Sequence, residues 1–170
     1  MFTKGLFDRE NGRLHEEEWI EMFRRLRESV FPCPICGRDI VLDVQRLEDR
    51  GRIGCWHPRC KGHGQSLDLP PRLKIKAGNR ERSVVLNAAT KLLRYQLLAR
   101  EYDLERGDAV VGEVVQNPND PAKWGLRNLS SENWQVILPD GNVSDVQSGK
   151  AFGLATGLKI DFKTAVAEII

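Results

Sequence analysis

All four cysteines of this chain lie between positions 33 and 60, in two close pairs, Cys33-Pro-Ile-Cys36-Gly and Cys55-Trp-His-Pro-Arg-Cys60, with eighteen residues between the pairs. A segment this short cannot bury enough apolar surface to hold itself together, so it needs a staple. No apolar run is long enough to span a membrane, and the opening MFTKGLFDRENGR lacks the apolar core of a secretion signal. The expected location is therefore cytoplasmic, where thiols stay reduced and clustered cysteines are metal ligands before they are disulfides. The Cys-x-x-Cys turn aims two thiolates at one ion, and Gly37 supplies the backbone freedom such a turn requires.

A closed set of four thiolates selects zinc in a structural role, and the metal contributes the folding energy the segment lacks. The expected ligands are Cys33, Cys36, Cys55 and Cys60, holding one structural zinc ion in a zinc ribbon. His63, three residues after Cys60, is the alternative ligand to one of the cysteines. His57 reads as an exposed imidazole beside Pro58, and Trp56 as a cover for the ribbon's small core.

Three segments separate along the chain. Residues 1–31 contain HEEEWIEMFRRLRESVF, where Trp19, Phe23, Leu26 and Val30 fall on one helical stripe, with acids at the start and arginines at the end as the helix dipole favours. That stripe is expected to dock on the rest of the chain, on a second copy or on a neighbouring domain. Residues 32–69 form the ribbon. Pro70 and Pro71 exclude helix and mark a linker. From 72 to 170 the pattern changes to short apolar segments, LKIK, VVGEVV, WGLRNL, WQVIL and LKIDF, punctuated by NPNDP, PDGN, SGK and ATG, which predicts an all-β sandwich or barrel. The expected fold class is mainly β, with an N-terminal amphipathic helix and a small zinc ribbon ahead of a β-sandwich.

Composition is that of an ordinary folded chain, with 41% hydrophobic and 29% charged residues and a net charge of +2. Charge is unevenly spread. Arg72 to Arg100 holds eight basic residues against Glu81 alone, and Glu101 to Asp120 holds six acids against Arg106. The plain expectation is solvated faces; the alternative is a phosphate or acidic partner, and with it nucleic-acid binding through the basic run 72–100. Only Tyr95 interrupts that run with an aromatic ring, which weakens single-strand stacking. None of the three histidines lies in the β-rich part, and no nucleophile elbow, phosphate loop or zinc-protease motif occurs, so no enzyme is expected.

The stretch LRNLSSENWQV followed by PDGNVSDVQSGKAFGLATGLKIDF resembles the forkhead-associated family, β-sandwiches that read phosphothreonine. Ser131 and Asn133 match the serine and asparagine of that family's turn, and Arg94 lies near the position of its phosphate-binding arginine. Trp134 and Gln135 stand where the family has glycine and threonine, which implies a pocket rebuilt for an unphosphorylated protein surface. The whole order of helix, ribbon and forkhead-associated-like sandwich resembles the C-terminal region of certain bacterial Ser/Thr protein kinases. The resemblance implies a non-catalytic adaptor or regulatory module that docks a protein partner, either a kinase domain or a phosphoprotein, through Arg94, Ser131 and Asn133.

Overall fold

A computed structural model of the chain describes residues 15–42, 52–99 and 109–170. The N-terminal stretch before His15, part of the segment between the cysteine pairs and residues 101–108 of the acid-rich 101–120 run lie outside them. Helix α1 runs Glu16–Ser29, with Glu16, Glu17 and Glu18 in its first turn and Arg27 in its last. Its start is fixed by the His15 backbone N–H, which donates to Glu18 Oε2 at 2.7 Å. The chain passes directly into β1 (Val30–Pro32), which pairs antiparallel with β2 (Asp39–Val41) across the first cysteine turn.

Ten further strands follow Pro71: β3 (Arg72–Ala77), β4 (Arg80–Val85), β5 (Lys91–Leu93), β6 (Val110–Asn117), β7 (Asp120–Asn128), β8 (Trp134–Ile137), β9 (Val143–Val146), β10 (Ala151–Gly153), β11 (Lys159–Asp161) and β12 (Val166–Ile169). They form two antiparallel sheets, one ordered β4-β3-β12-β11-β8-β9 and the other β10-β7-β6-β5. The predicted turns sit where the sequence placed them. Pro118 and Asn119 close the β6–β7 hairpin, and Asn117 Oδ1 accepts the Asn119 N–H at 2.9 Å. In PDGN, Gly141 takes φ 87 and its N–H donates to the Leu138 carbonyl at 2.9 Å.

Alternation puts Leu73, Ile75 and Ala77 of β3 on one face and Lys74 and Lys76 on the other. The buried row joins Val136 and Ile160 from its own sheet and Leu92, Val114 and Leu126 from the other in a single apolar cluster. Trp134, 1% exposed, lies at its centre, edge-on to Phe162 at 4.8 Å between ring centroids. The indole reaches across to the second sheet: a Cβ at Gly112 on β6 would stand 2.7 Å from Trp134 Cη2. Trp134 is therefore a core residue; the expectation that it rebuilds a surface pocket does not hold.

Among the described residues no helix is long and apolar enough to cross a membrane. Gly112→Ala is expected to lower stability by about 1–3 kcal/mol, the usual cost of forcing an extra carbon into a packed core, measured by denaturant unfolding.

Candidate metal centre and docking end

The first cysteine turn is built by backbone bonds. The Cys33 N–H donates to the Arg38 carbonyl at 2.8 Å, and the Gly37 N–H returns to the Cys33 carbonyl at 2.8 Å. Gly37 sits at φ 71, a left-handed conformation that a side chain would strain. The second turn mirrors it: Cys60 N–H to the His57 carbonyl at 3.0 Å, and Gly62 N–H to Cys60 Sγ at 3.3 Å. Together they bring the four Sγ atoms within 4.8 Å of one another, with Cys33 to Cys60 at 3.8 Å and Cys36 to Cys55 at 3.7 Å. No disulfide joins them. A tetrahedron on metal–sulfur bonds of about 2.3 Å has sulfur–sulfur edges of about 3.8 Å, so the arrangement fits one metal ion.

The electrostatics point the same way. Burial pushes the Cys33 thiol up, but the N–H groups of Cys36 and Ile35 with the Cys36 and Cys55 thiols outweigh it and bring it to about 7. For Cys55 the His57 N–H pulls down, and burial with the Cys36 and Cys33 thiols wins, leaving it raised. Cys60 is pushed to about 12, first by burial against the Gly62 N–H and then by the three neighbouring thiols. Such a set ionises together only against a cation.

The neighbours are placed differently from expectation. His63 Nδ1 lies 3.0 Å from the Cys55 carbonyl, so that nitrogen serves as a donor to backbone. Trp56 is 60% exposed, its Nε1 donating to the Asp39 carbonyl at 2.8 Å, so it braces the ribbon's flank and does not cover its core. The core is covered instead by Phe31, Ile40, Leu42, Ile53 and Leu67, with Val85 of β4 packing into the same cluster.

The remaining candidates gather at one end of the four-stranded sheet. Arg94 opens a 3₁₀ turn, Arg94–Leu97, and its N–H donates to the Ala109 carbonyl at 2.9 Å. Two residues along, the Val111 carbonyl accepts the Leu129 N–H at 2.8 Å, which brings the 129–133 loop to the same end. Arg94, Ser131 and Asn133 are all exposed there, and no hydrogen bond or ion pair joins them among the described contacts. The loop is set by Asn128, 0% exposed, which the sequence reading passed over. Its Oδ1 accepts from the Ser130 N–H at 2.8 Å and Oγ at 2.7 Å, while Nδ2 donates to the Glu132 and Val146 carbonyls at 2.7 and 2.9 Å. The Asn-x-Ser spacing was the available signal, since asparagine commonly bonds the backbone two residues on.

Among the described residues, three basic side chains of the run 72–100 are engaged with acids. Arg80 and Arg82 turn to α1, where both reach Glu21, and Arg82 also reaches Glu28. Lys74 lies 3.7 Å from Glu81 and opposite Glu168. No family model, curated protein or solved structure matches this chain.

Native mass spectrometry is expected to find one metal ion per chain. Cys33→Ser should release it and unfold the ribbon while amide dispersion of the two large sheets persists, because the cluster around Trp134 contains no ribbon residue. A metal-free chain with four freely titrating thiols would contradict this.

Proposed function

We propose that this chain is a non-catalytic adaptor: a zinc ribbon joined to a forkhead-associated-like sandwich that docks a protein partner, in the regulatory manner its resemblance to bacterial Ser/Thr kinase C-terminal regions implies. The observation that carries the reading is the gathering of Arg94 and the Asn128-fixed 129–133 loop at one sheet end. Binding residues on loops held by a rigid sheet are the usual arrangement for recognition. Two antiparallel sheets around one core agree with the sandwich, and a closed four-thiolate set suits structural zinc, since it leaves no open coordination position for chemistry.

The Arg94 end offers one exposed guanidinium, with the exposed Ser131 and Asn133 on a loop at the same end of the sheet. That suffices to orient an acidic or phosphorylated group on a protein surface, and supplies only weak phosphate affinity alone. Nucleic-acid binding is the weaker reading, because the basic residues of 72–100 are dispersed over α1 contacts and a face of alternating charge.

Pull-down with and without phosphatase, followed by titration of partner-derived peptides, tests the proposal. Capture is expected to survive phosphatase, and Arg94→Ala is expected to weaken it roughly ten-fold, the loss of one charge-assisted contact. Undiminished capture by Arg94→Ala, or steeply salt-dependent binding of nucleic acid instead, would overturn it. Micromolar phosphothreonine-peptide binding lost in Arg94→Ala would make the platform a phosphate reader.

A further inference from the structure

The helix docks by the face opposite to the one its apolar pattern selects. Phe23 and Leu26 are 56% and 43% exposed, whereas Glu28 is buried. The Glu28 carboxylate accepts from Tyr95 Oη at 2.9 Å, Gln96 Nε2 at 3.0 Å and Arg82 Nη1 at 3.4 Å. Arg82 Nη2 also donates to Glu21 at 2.9 Å. The Arg24 guanidinium lies 4.2 Å from the centre of the Tyr95 ring, and Arg27 Nη2 donates to the Tyr95 hydroxyl at 3.1 Å. The contact between α1 and the β4 edge is thus made largely of groups that water can satisfy when the two separate. The difference between docked and released helix is correspondingly small, unlike that of a buried apolar face.

The clasp is made by the same backbone turn that carries Arg94. Arg94 is exposed, the next two residues, Tyr95 and Gln96, are buried against Glu28, and Gln96 Oε1 accepts the Leu93 N–H at 2.7 Å. Gln96 therefore ties its own turn with one end of its amide and the helix with the other.

We infer that α1 is a releasable strap, and that its docking on Tyr95 and Gln96 is linked to the state of the Arg94 end through the single turn they share. This rests on the Arg94 end being where the partner docks. When the helix leaves, Tyr95 and Gln96 lose their carboxylate, the turn loses one of its two ties, and Arg94 loses its fixed position at that end of the sheet. By linkage, a partner that immobilises Arg94 favours the docked helix to the same degree that the docked helix favours the partner.

The test is amide hydrogen exchange on the full chain, comparing wild type with Glu28→Gln and Tyr95→Phe. Exchange in α1 is expected to quicken roughly ten-fold, the scale of one charge-assisted hydrogen bond, and with it exchange in 94–97, while the independently anchored 129–133 loop, β3 and β12 keep wild-type rates. A loosened helix with 94–97 at wild-type rates would overturn the inference, as would a helix that neither variant loosens. If Glu28→Gln unfolds the chain, Tyr95→Phe, which removes one hydroxyl and keeps the ring, carries the same reading. The exchange readout needs no partner, so it decides the strap whatever Arg94→Ala does to capture. Arg94-dependent capture with unlinked exchange would leave the docking reading standing and remove only the strap.

Discussion

The buried carboxylate of Glu28 determines where α1 sits against the strands after Pro71. A charge taken out of water costs several kcal/mol unless it is paired and hydrogen-bonded, and Glu28 has three donors on two separate elements, β4 and the turn after β5. Its influence shows on Tyr95, whose hydroxyl is pushed to about 12 by burial and then by the Glu28 carboxylate, against the pull of Arg27. A neutral phenol that donates to a carboxylate and accepts from an arginine is fixed in orientation as well as position. Because α1 ends at Ser29 and β1 begins at Val30, locking Glu28 also sets the direction in which the chain enters the ribbon.

The cysteine-bearing segment is then held at three points of different chemistry. Asn87 Nδ2 donates to the Val30 carbonyl at 3.2 Å, Val85 lends its side chain to the ribbon's apolar cluster, and the two prolines rejoin the ribbon to β3. Three of the four thiols are buried and Cys36 is exposed. Were a metal ion held by these thiols, its binding and the folding of so small a unit would be one free energy. The Val85 contact makes the sheet edge a beneficiary of that energy, even though the two cores are separate clusters.

How much of this could be read beforehand depended on whether a signal was local. Cysteine spacing and turn chemistry are local, so the Sγ cluster and the turns after β6 and β8 appear where the sequence put them. Strands β4, β5, β9, β10 and β12 were not singled out, because RERSVV reads as charge and the others are three or four residues long. The helix was found by its apolar stripe, of which Phe23 and Leu26 stay exposed, whereas its ion pairs to β4 run through Glu21 and Glu28. Nothing in EEEWIEMFRRLRES distinguishes Glu28 from a solvated glutamate; its partners come from positions 82, 95 and 96, which only the fold brings near. Trp134 failed for the opposite reason. Compared with a family turn it looked like a surface change, whereas its strand alternation, buried at 134 and 136 and half-buried at 135 and 137, places it in the core.

That placement bears on the docking end. Trp134 follows Asn133 directly, so the last residue of the 129–133 loop is anchored by an indole packed against Phe162 and opposite Gly112. Asn128 anchors the other end of the loop through four hydrogen bonds. A loop pinned at both ends loses little conformational entropy when it binds, so its few polar side chains meet a partner already oriented. Arg94 has no such anchor of its own: it is held by its backbone bond to Ala109 and by the buried residues that follow it. The end of the sheet thus pairs a loop anchored at both ends with an arginine held by its backbone and by the buried residues Tyr95 and Gln96, which bond to Glu28.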